Sequence, residues 1–453
     1  MRERKVFFRA VLPSMLAFAL SGVYAIVDGF FLGNAMGDNA LAAVNMAYPI
    51  TAFLQAVGTG IGMGGAVAYA ICMGGRRHLQ ARRYFGMMSI LLAAAGILLT
   101  VLCLTLSPTL LGLFGAQGAI FDLGREYLLY ISFGALFQVL GTGLVPLIRN
   151  MGGAVFAMGA MMAGFAVNIL LDWLLVWVIP WGMMGAAVAT DLGQAVTFLA
   201  CLGYFIKHQK KPRLSFARQG RELMGEILRV GLSPFGLTFS PNLVLILMNK
   251  FAALNGGDGA VACYAAISYI TSVVILLLQG VSDGSQPLLS LSYGEGKTRT
   301  TLIYRRLAYL FALAVAAVCM VGVFLFREGA AALFGTSPET GAMVTQVLPV
   351  FLAGFLFAAL SRVSTAYFYA TGKNLWAYLV IYGEPLLLLA LLFCLPEAMG
   401  LWGVWLAVPV SQAGAALLGL LLVWRSGKRP PAAWKAKRSK RKLRILKKKP
   451  SDV

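Results

Sequence analysis

The chain has 453 residues, of which 59% are hydrophobic and 12% are charged, with a net charge of +21 and a mean hydropathy of +0.80. In a soluble globular chain about a quarter of the residues are usually charged. Apolar runs of about 20 residues recur along this chain, as they do in membrane-spanning helices. The composition therefore excludes a soluble enzyme and predicts an all-α membrane protein.

Twelve apolar stretches, six on each side of a polar loop, are long enough to cross a bilayer as helices. They cover residues 6–33, 42–72, 84–106, 126–148, 155–178 and 185–206, and then 227–254, 260–292, 303–326, 344–370, 375–395 and 402–424. We therefore predict an N-terminal six-helix lobe (1–206), a cytoplasmic linker loop (207–226), a C-terminal six-helix lobe (227–424) and a basic cytoplasmic tail (425–453).

The basic residues alternate from one connection to the next. With twelve spans, 34 of the 38 Lys and Arg residues fall on one side, only Arg125 and Arg327 fall on the other, and Lys250 and Arg362 fall within spans. By the positive-inside rule both termini are cytoplasmic. We expect a multi-pass protein of the cytoplasmic membrane, whether bacterial inner membrane or plasma membrane.

The high net charge is concentrated in the tail, where 13 Lys and Arg residues lie within the last 29 residues. Such a segment suits anionic lipid headgroups at the cytoplasmic face, so no nucleic-acid partner is expected. The six cysteines are scattered through apolar runs without a CxxC pair. We expect no disulfide, no cofactor and a monomeric chain.

The two halves repeat each other at an offset of 220 residues. The coinciding pairs include Gly37/Gly257, Asp38/Asp258, Gly60/Gly280, Gly64/Gly284, Gly74/Gly294 and Gly152/Gly372. Because each half contains six spans, both halves insert in the same direction. This predicts two lobes related by a pseudo-twofold axis along the membrane normal, with a substrate path between them.

Polar side chains cluster in the outer halves of the first, fifth and sixth predicted helices. They are Tyr24, Asp28, Asn168, Asp172, Thr190 and Asp191. Ionisable groups inside spans are costly, rarely face lipid and usually mark ion or proton pathways. We predict a cation-coupling site here, built mainly on Asp28 and Asp172.

The second lobe provides an internal control for that prediction. The counterparts of Tyr24, Asp28, Asn168 and Asp172 are Val244, Met248, Leu388 and Leu392. With a two-residue shift in the last helix, those of Thr190 and Asp191 are Val408 and Pro409. A polar group needed only for helix packing would tend to occur at the equivalent positions of both lobes. Two neighbouring carboxylates in low dielectric resist a double negative charge, which suits proton capture. Asp28, Asn168, Asp172 and Thr190 also offer oxygen ligands for Na⁺, so the coupling ion stays open.

The second lobe carries a different set of charged residues within its spans: Lys250, Asp283, Arg362 and Glu384. One interpretation is an ion pair between Arg362 and Glu384 on adjacent helices. The other places Asp283 or Glu384 on a cavity wall that faces a cationic substrate. Methionines such as Met161 suit either an adaptable binding surface or ordinary helix packing.

Three segments resemble the multidrug and toxic compound extrusion (MATE) transporters. They are VDGFFLGNAMGDNALAAVNMAYPI from residue 27, NILLDWLLV with WGMMGAAVAT from 168 to 190, and SQPLLSLSYGEGK from 285. The resemblance implies a twelve-helix, two-lobed antiporter that exports organic cations against H⁺ or Na⁺. Asp28 and Asp172 match the family's first-lobe coupling carboxylates, and Tyr24, Asn168 and Thr190 match the accompanying polar positions.

The sequence also departs from that family. Helix seven has Asn242, Asn249 and Lys250 where one branch has an acidic residue, and Asp191, Asp283 and Glu384 are unusual. One alternative is a lipid-linked oligosaccharide flippase of the same superfamily, whose anionic substrate needs a cationic cavity. Another is a non-transporting membrane receptor or scaffold, which leaves the one-sided acids unexplained.

Overall fold

A computed structural model describes residues 2–208, 217–329 and 338–427 of the chain, and within them it contains helices and no strand. In chain order the helices are α1 (Arg2–Met36), α2 (Asp38–Gly74), α3 (His78–Leu113), α4 (Gly118–Asn150), α5 (Ala154–Asp172), α6 (Gly182–Lys207), α7 (217–256) and α8 (258–294) within the continuous segment Ala217–Gly294, α9 (Thr298–Leu325), α10 (Pro338–Ala370), α11 (Asn374–Met399) and α12 (Leu401–Gly427). Residues 209–216 of the predicted linker and 428–453 of the predicted tail lie outside the described residues.

The division between α7 and α8 occurs at Gly257, whose backbone is not helical, with φ 64° and ψ −159°. Its counterpart Gly37 separates α1 from α2 with φ 82° and ψ −174°. Gly152 and Gly372, another predicted pair, also have positive φ, at 90° and 72°. Glycine adopts this left-handed region without the steric penalty of a Cβ. The described chain thus has eleven long apolar segments, one of which supplies two spans, and the predicted twelve-helix, two-lobed fold is confirmed.

Helix α7 begins at Ala217, ten residues before the predicted start of the seventh span, so it extends into the predicted linker. Leu223 and Ile227, four residues apart on one helix face, are buried in the core of the first lobe. Burial of these side chains explains why the helix continues into a polar stretch that the apolar pattern leaves out.

Each lobe has its own hydrophobic core, but the first two helices contribute to both. Phe7 and Val11 of α1, and Val67 and Ile71 of α2, belong to the core of the second lobe. Large apolar side chains also cover the outside of the bundle, for example Val318, which is 73% exposed. An apolar exterior of this kind is the surface that a helical bundle presents to lipid.

The lobes meet tightly at the end of the bundle that carries the chain's N-terminus and the Arg- and Lys-rich connections, which we call the basic end. Gly64 on α2 fits against Gly231 on α7, and Gly284 on α8 fits against Val11 on α1. A Cβ on Gly284 would lie 2.8 Å from the Cα of Val11. The two contacts are related by the 220-residue offset. Glycines therefore let two pairs of helices from opposite lobes approach backbone to backbone.

At the opposite end of the bundle the lobes are less tightly packed. Residues 61–72 of α2 and 281–287 of α8 are all buried, whereas both helices have exposed residues beyond this region. Tyr48 on α2 and Tyr269 on α8 interact electrostatically, yet they are 51% and 47% exposed. The structure is therefore closed between the lobes at the basic end and open at the opposite end.

Candidate cation-coupling site

The first-lobe polar residues come from three adjacent helices. Tyr24 and Asp28 lie on α1, Asn168 and Asp172 on α5, and Thr190 on α6. The spacing of four residues on α1 and on α5 places each pair on one helix face. At Asp172 the α-helical winding of α5 ends and a π-helical segment, Trp173–Val178, begins. Segments of this type are frequent at functional sites because they reposition side chains and backbone groups.

The structure brings the two predicted carboxylates together. Asp28 and Asp172 are close enough for their charges to interact. Oδ1 of Asp28 and both carboxyl oxygens of Asp172 are buried and accept no hydrogen bond from any other described residue, so each carboxyl group has only the other within hydrogen-bonding reach. The Asp172 residue is only 1% exposed. Buried polar atoms in proteins are nearly always hydrogen-bonded, so these oxygens mark a place where a proton or a cation can bind.

Asn168 and Thr190 complete this oxygen-rich pocket. Asn168 Nδ2 donates a hydrogen bond of 3.4 Å to Thr190 Oγ1, which leaves Asn168 Oδ1 buried without a partner. Together with the carboxylates this gives four unpartnered oxygens, the ligand type that hard cations prefer. The described residues contain no group of three or more His, Cys, Asp or Glu side chains suited to a metal ion. The donor set fits H⁺ or Na⁺ better than a transition metal.

Tyr127 on α4 belongs to the site, although the sequence analysis did not select it. It is 6% exposed, and its phenol group interacts electrostatically with Asp28, Asp172 and Asp191. Its counterpart in the second lobe is Val347. The same comparison between lobes that selected Tyr24 could have identified Tyr127.

Asp191 lies apart from the carboxylate pair. Its carboxyl group occupies the space that a Cβ at Gly134 of α4 would need. It lines a shallow cavity of about 240 Å³ whose wall includes Phe133 and Leu192. Both of these side chains face outward, at 60% and 45% exposed. Tyr127 interacts with both acidic groups, but Asp191 does not join Asp28 and Asp172 in one pocket.

The second-lobe counterparts form ordinary apolar packing. Met248, Leu388 and Leu392 are at most 1% exposed and belong to the hydrophobic core of that lobe. The polar pocket is thus present in one lobe, and the matching positions of the other are filled by side chains that need no partner.

The charged residues of the second lobe do not form a close ion pair between Arg362 and Glu384. Asp283 on α8 lies 3.8 Å from the guanidinium of Arg149 on α4. Arg362 donates a hydrogen bond to Gln279, and among the described residues it has no carboxylate within ion-pair distance. Glu384 and Asp283 still influence Arg362 electrostatically. Arg362 and Glu384 thus interact electrostatically without a contact within 4 Å, and the cation within ion-pair distance of Asp283 is Arg149 from α4 of the first lobe.

Comparison with known families decides what kind of protein contains this site. The sequence profile of the MatE family matches residues 13–174 and 237–393, well over half of the chain. The chain belongs to the MatE family. Both matched ranges lie within the two lobes, and Asp28 and Asp172 lie within the first range. MatE membership makes the chain a multi-pass membrane transporter and not an enzyme, and it confirms the resemblance seen in the sequence.

Curated relatives of this MatE protein include the multidrug export protein MepA. The protein from Staphylococcus haemolyticus is 25% identical over 431 residues, covering 93% of this chain and 94% of its own length. The protein from Staphylococcus aureus is 24% identical over 429 residues, with the same coverage.

Solved structures of related transporters have the same fold. A MATE multidrug resistance transporter of the MOP superfamily in an outward-facing conformation superposes with a TM-score of 0.87, at 24% identity and 93% and 95% coverage. A MOP superfamily transporter from Pyrococcus furiosus, described as having a binding pocket of reverse polarity, superposes with a TM-score of 0.86 at 24% identity and the same coverage.

Proposed function

We propose that this MatE protein is an antiporter that exports organic cations, drugs among them, in exchange for H⁺ or Na⁺. The observation that supports this most directly is the pair Asp28 and Asp172, whose buried oxygens lack hydrogen-bond partners. The multidrug export activity in the names of its relatives supports the substrate class.

The carboxylate pair gives the coupling ion its binding energy. Two buried negative charges repel each other and lose hydration, so the ionised pair without a bound coupling ion has an unfavourable free energy. A proton shared between Asp28 and Asp172 removes this cost. Na⁺ removes it too, with Asn168 and Thr190 adding oxygen ligands. Either coupling ion, H⁺ or Na⁺, therefore stabilises the conformation in which the two carboxylates are close together.

Alternating access follows from the difference between the two ends of the bundle. A ligand shifts a conformational equilibrium only through its different affinities for the two states. Export requires the basic end to open, which separates α1 from α8 and α2 from α7. We propose that the coupling ion enters from the opposite end, binds Asp28 and Asp172, and favours release of the organic cation there.

The buried charges near the contact between the lobes provide no surplus positive charge for an anionic substrate. The two cations Arg149 and Arg362 are balanced by the two acids Asp283 and Glu384. A flippase for lipid-linked oligosaccharides needs surplus positive charge to hold its anionic substrate. We assign Asp283, Glu384 and Arg362 to the wall of the substrate cavity, where the acids provide the attraction.

The arrangement of cations supports an orientation with the basic end in the cytoplasm of a bacterial or plasma membrane. Both termini are then cytoplasmic, and the tail from Arg425 contacts anionic lipid. Tail cleavage by protease in inside-out vesicles, but not in right-side-out vesicles, tests this orientation. The chain is proposed to act as a monomer, which the mass of the detergent-solubilised protein tests.

Ethidium export by the purified chain in proteoliposomes tests the coupling. Imposed pH and Na⁺ gradients identify the ion, and Asp28→Asn and Asp172→Asn should each abolish gradient-driven export. Asp258→Asn at the exposed turn between α7 and α8 is a matched control that should transport normally. Undiminished export by both site variants refutes the assignment. Absence of flux in the unmodified chain favours a receptor or scaffold, and binding of lipid-linked oligosaccharide without dye transport favours the flippase.

A further inference from the structure

One buried ion pair connects the two lobes near the basic end. Arg149 Nη1 of α4 lies 3.8 Å from Asp283 Oδ2 of α8, and the two side chains are only 5% and 3% exposed. The counterpart of Asp283 in the first lobe is Met63, so the carboxylate has no equivalent there. Within the described residues this is the ion pair that crosses between lobes.

The surroundings of the Arg149 guanidinium are those of a site for an organic cation. The group lies over the Phe18 ring at 5.3 Å from its centroid, and Nη2 contacts Met161 Sδ at 3.4 Å. An aromatic face attracts a delocalised cation, and a thioether adapts to its shape. These two groups hold the guanidinium on the first lobe, where it faces the carboxylate of Asp283 on the second lobe.

The ion pair is poorly built for a purely structural role. Arg149 and Asp283 make no direct hydrogen bond at 3.8 Å, and Asp283 Oδ1 accepts its 2.7 Å hydrogen bond from Gln279. A buried ion pair offsets its desolvation only with excellent geometry and additional hydrogen bonds. Replacement of the Arg149 guanidinium by another cation therefore costs little interaction free energy.

A separate contact holds the lobes together beside the ion pair. Asn150 Nδ2 donates to Gln286 Oε1 at 2.9 Å, and Gln286 Nε2 donates back to Asn150 Oδ1 at 3.2 Å. Each amide neighbours the ion pair on its own helix. This reciprocal amide pair closes the same region without charge, so closure alone does not account for the buried Arg149 and Asp283.

We propose that Asp283 is a binding site for a planar organic cation that enters from the basic end, and that the Arg149 guanidinium is its built-in competitor. When the lobes separate at the basic end, Arg149 stays with Phe18 and Met161 on the first lobe, while Asp283 leaves with the second. The exposed carboxylate, left with the more distant Arg362 on its own lobe, then takes a substrate cation as its close counter-ion. Closing at the basic end returns Arg149 to Asp283 and displaces that cation toward the opposite end. The inference rests on the proposed export of organic cations.

Ethidium binding to the full chain in nanodiscs tests the competition. Arg149→Gln should tighten binding by about five- to tenfold, because a site occupied most of the time by an internal competitor binds ligand in proportion to its free fraction. Asp283→Asn should weaken binding by about thirtyfold or more, as expected for loss of one partner of a buried charge pair. The double variant should behave like Asp283→Asn alone.

Three controls separate competition from general loosening. Gln286→Ala breaks the amide pair and leaves both charges, so it should tighten ethidium binding less than Arg149→Gln does. Arg149→Lys keeps a cation and should stay near the unmodified affinity. Phenanthridine is a neutral analogue of the dye at pH 7.5, and its binding affinity should be the same for the unmodified chain, Arg149→Gln and Asp283→Asn.

The outcomes distinguish this inference from the proposed function. Shifts of the same sign in Arg149→Gln and Asp283→Asn, or equal tightening by Gln286→Ala, overturn the competitor role while leaving organic-cation export standing. Absence of ethidium binding in the unmodified chain and every variant contradicts both proposals. If Arg149→Gln does not yield monodisperse protein, Arg149→Met takes its place, and the same increase in ethidium affinity is expected.

Discussion

The ring of Tyr24 on α1 stacks on the ring of Phe165 on α5, with centroids 4.9 Å apart and planes inclined by 9°. Tyr24 precedes Asp28 by one helical turn, and Phe165 precedes Asp172 by two. The stack therefore fixes the two helices against each other beside the carboxylate pair, and the distance between the two acids depends on it.

Removal of the aromatic stack should weaken the first lobe. Tyr24→Val introduces the residue found at position 244 of the second lobe, and we expect it to lower the free energy of unfolding by about 1 kcal/mol, the typical contribution of an aromatic pair. Tyr24→Phe keeps the ring and should leave the thermal unfolding midpoint unchanged. Equal losses in both variants assign the effect to the hydroxyl group and contradict the stacking argument.

Conversion of Asp172, the proposed coupling acid, to its second-lobe counterpart should stabilise the protein and abolish export. Asp172→Leu removes two buried oxygens without partners, and we expect the free energy of unfolding to rise by about 1–3 kcal/mol. Gradient-driven ethidium export should disappear. Asp172→Asn should also lose export, but without the gain in stability, because the amide remains a buried polar group. Chemical unfolding in micelles and the flux assay measure the two effects, and a transport-competent Asp172→Leu chain contradicts the coupling role.

Side chains at the interlobe glycines should force the basic end apart. A Cβ at Gly64 or Gly284 would clash with backbone atoms of the other lobe. Overpacking costs about 1–3 kcal/mol per site, enough to change the balance between states about tenfold. Gly159 has open space around it, so Gly159→Ala is the matched control. Leu79 near the start of α3 and Leu302 near the start of α9 are exposed and belong to opposite lobes. Spin labels at these two positions should report a longer distance in Gly64→Ala and Gly284→Ala, and unchanged distances in both contradict the closed interface.

Asp191 should contribute to packing more than to coupling. Gly134→Ala places a methyl group where the Asp191 carboxyl lies, and we expect a loss of about 1–3 kcal/mol in stability. The double variant Gly134→Ala/Asp191→Ala should regain the stability that Gly134→Ala loses, because the carboxyl group no longer occupies the space of the methyl group. Asp191→Asn should keep most of the pH-driven ethidium export that Asp28→Asn loses. Complete loss of export in Asp191→Asn places this residue in the coupling site after all.

Sequence alone was sufficient for the spans and for the pairing of Asp28 with Asp172. A helix that crosses a bilayer needs a long apolar run, and the repeat places Gly257 at the turn that Gly37 makes in the first half. The one-sided acids stand out because their counterparts, such as Met248, are apolar.

Tertiary packing decided the features that sequence missed. Tyr127 carries no charge at neutral pH and lies in an apolar run, so only its counterpart Val347 distinguishes it. Arg149 follows a long apolar run and was counted with the connecting cations, but α4 ends inside the bundle and places it against Asp283. No local pattern gives the depth at which a helix ends or the helix from the other lobe that it meets.

The contribution of α1 to the core of the second lobe has a consequence for biogenesis. Phe7 and Phe8 pack edge-to-face on Phe311 of α9, and Val11 lies against Gly284 of α8. The ribosome makes these partners only after it has synthesised the whole first lobe. Helix α1 thus reaches its final neighbours only after α8 and α9 have been made. Two separately expressed halves should each insert, but they should form the native core only when both are made in the same membrane.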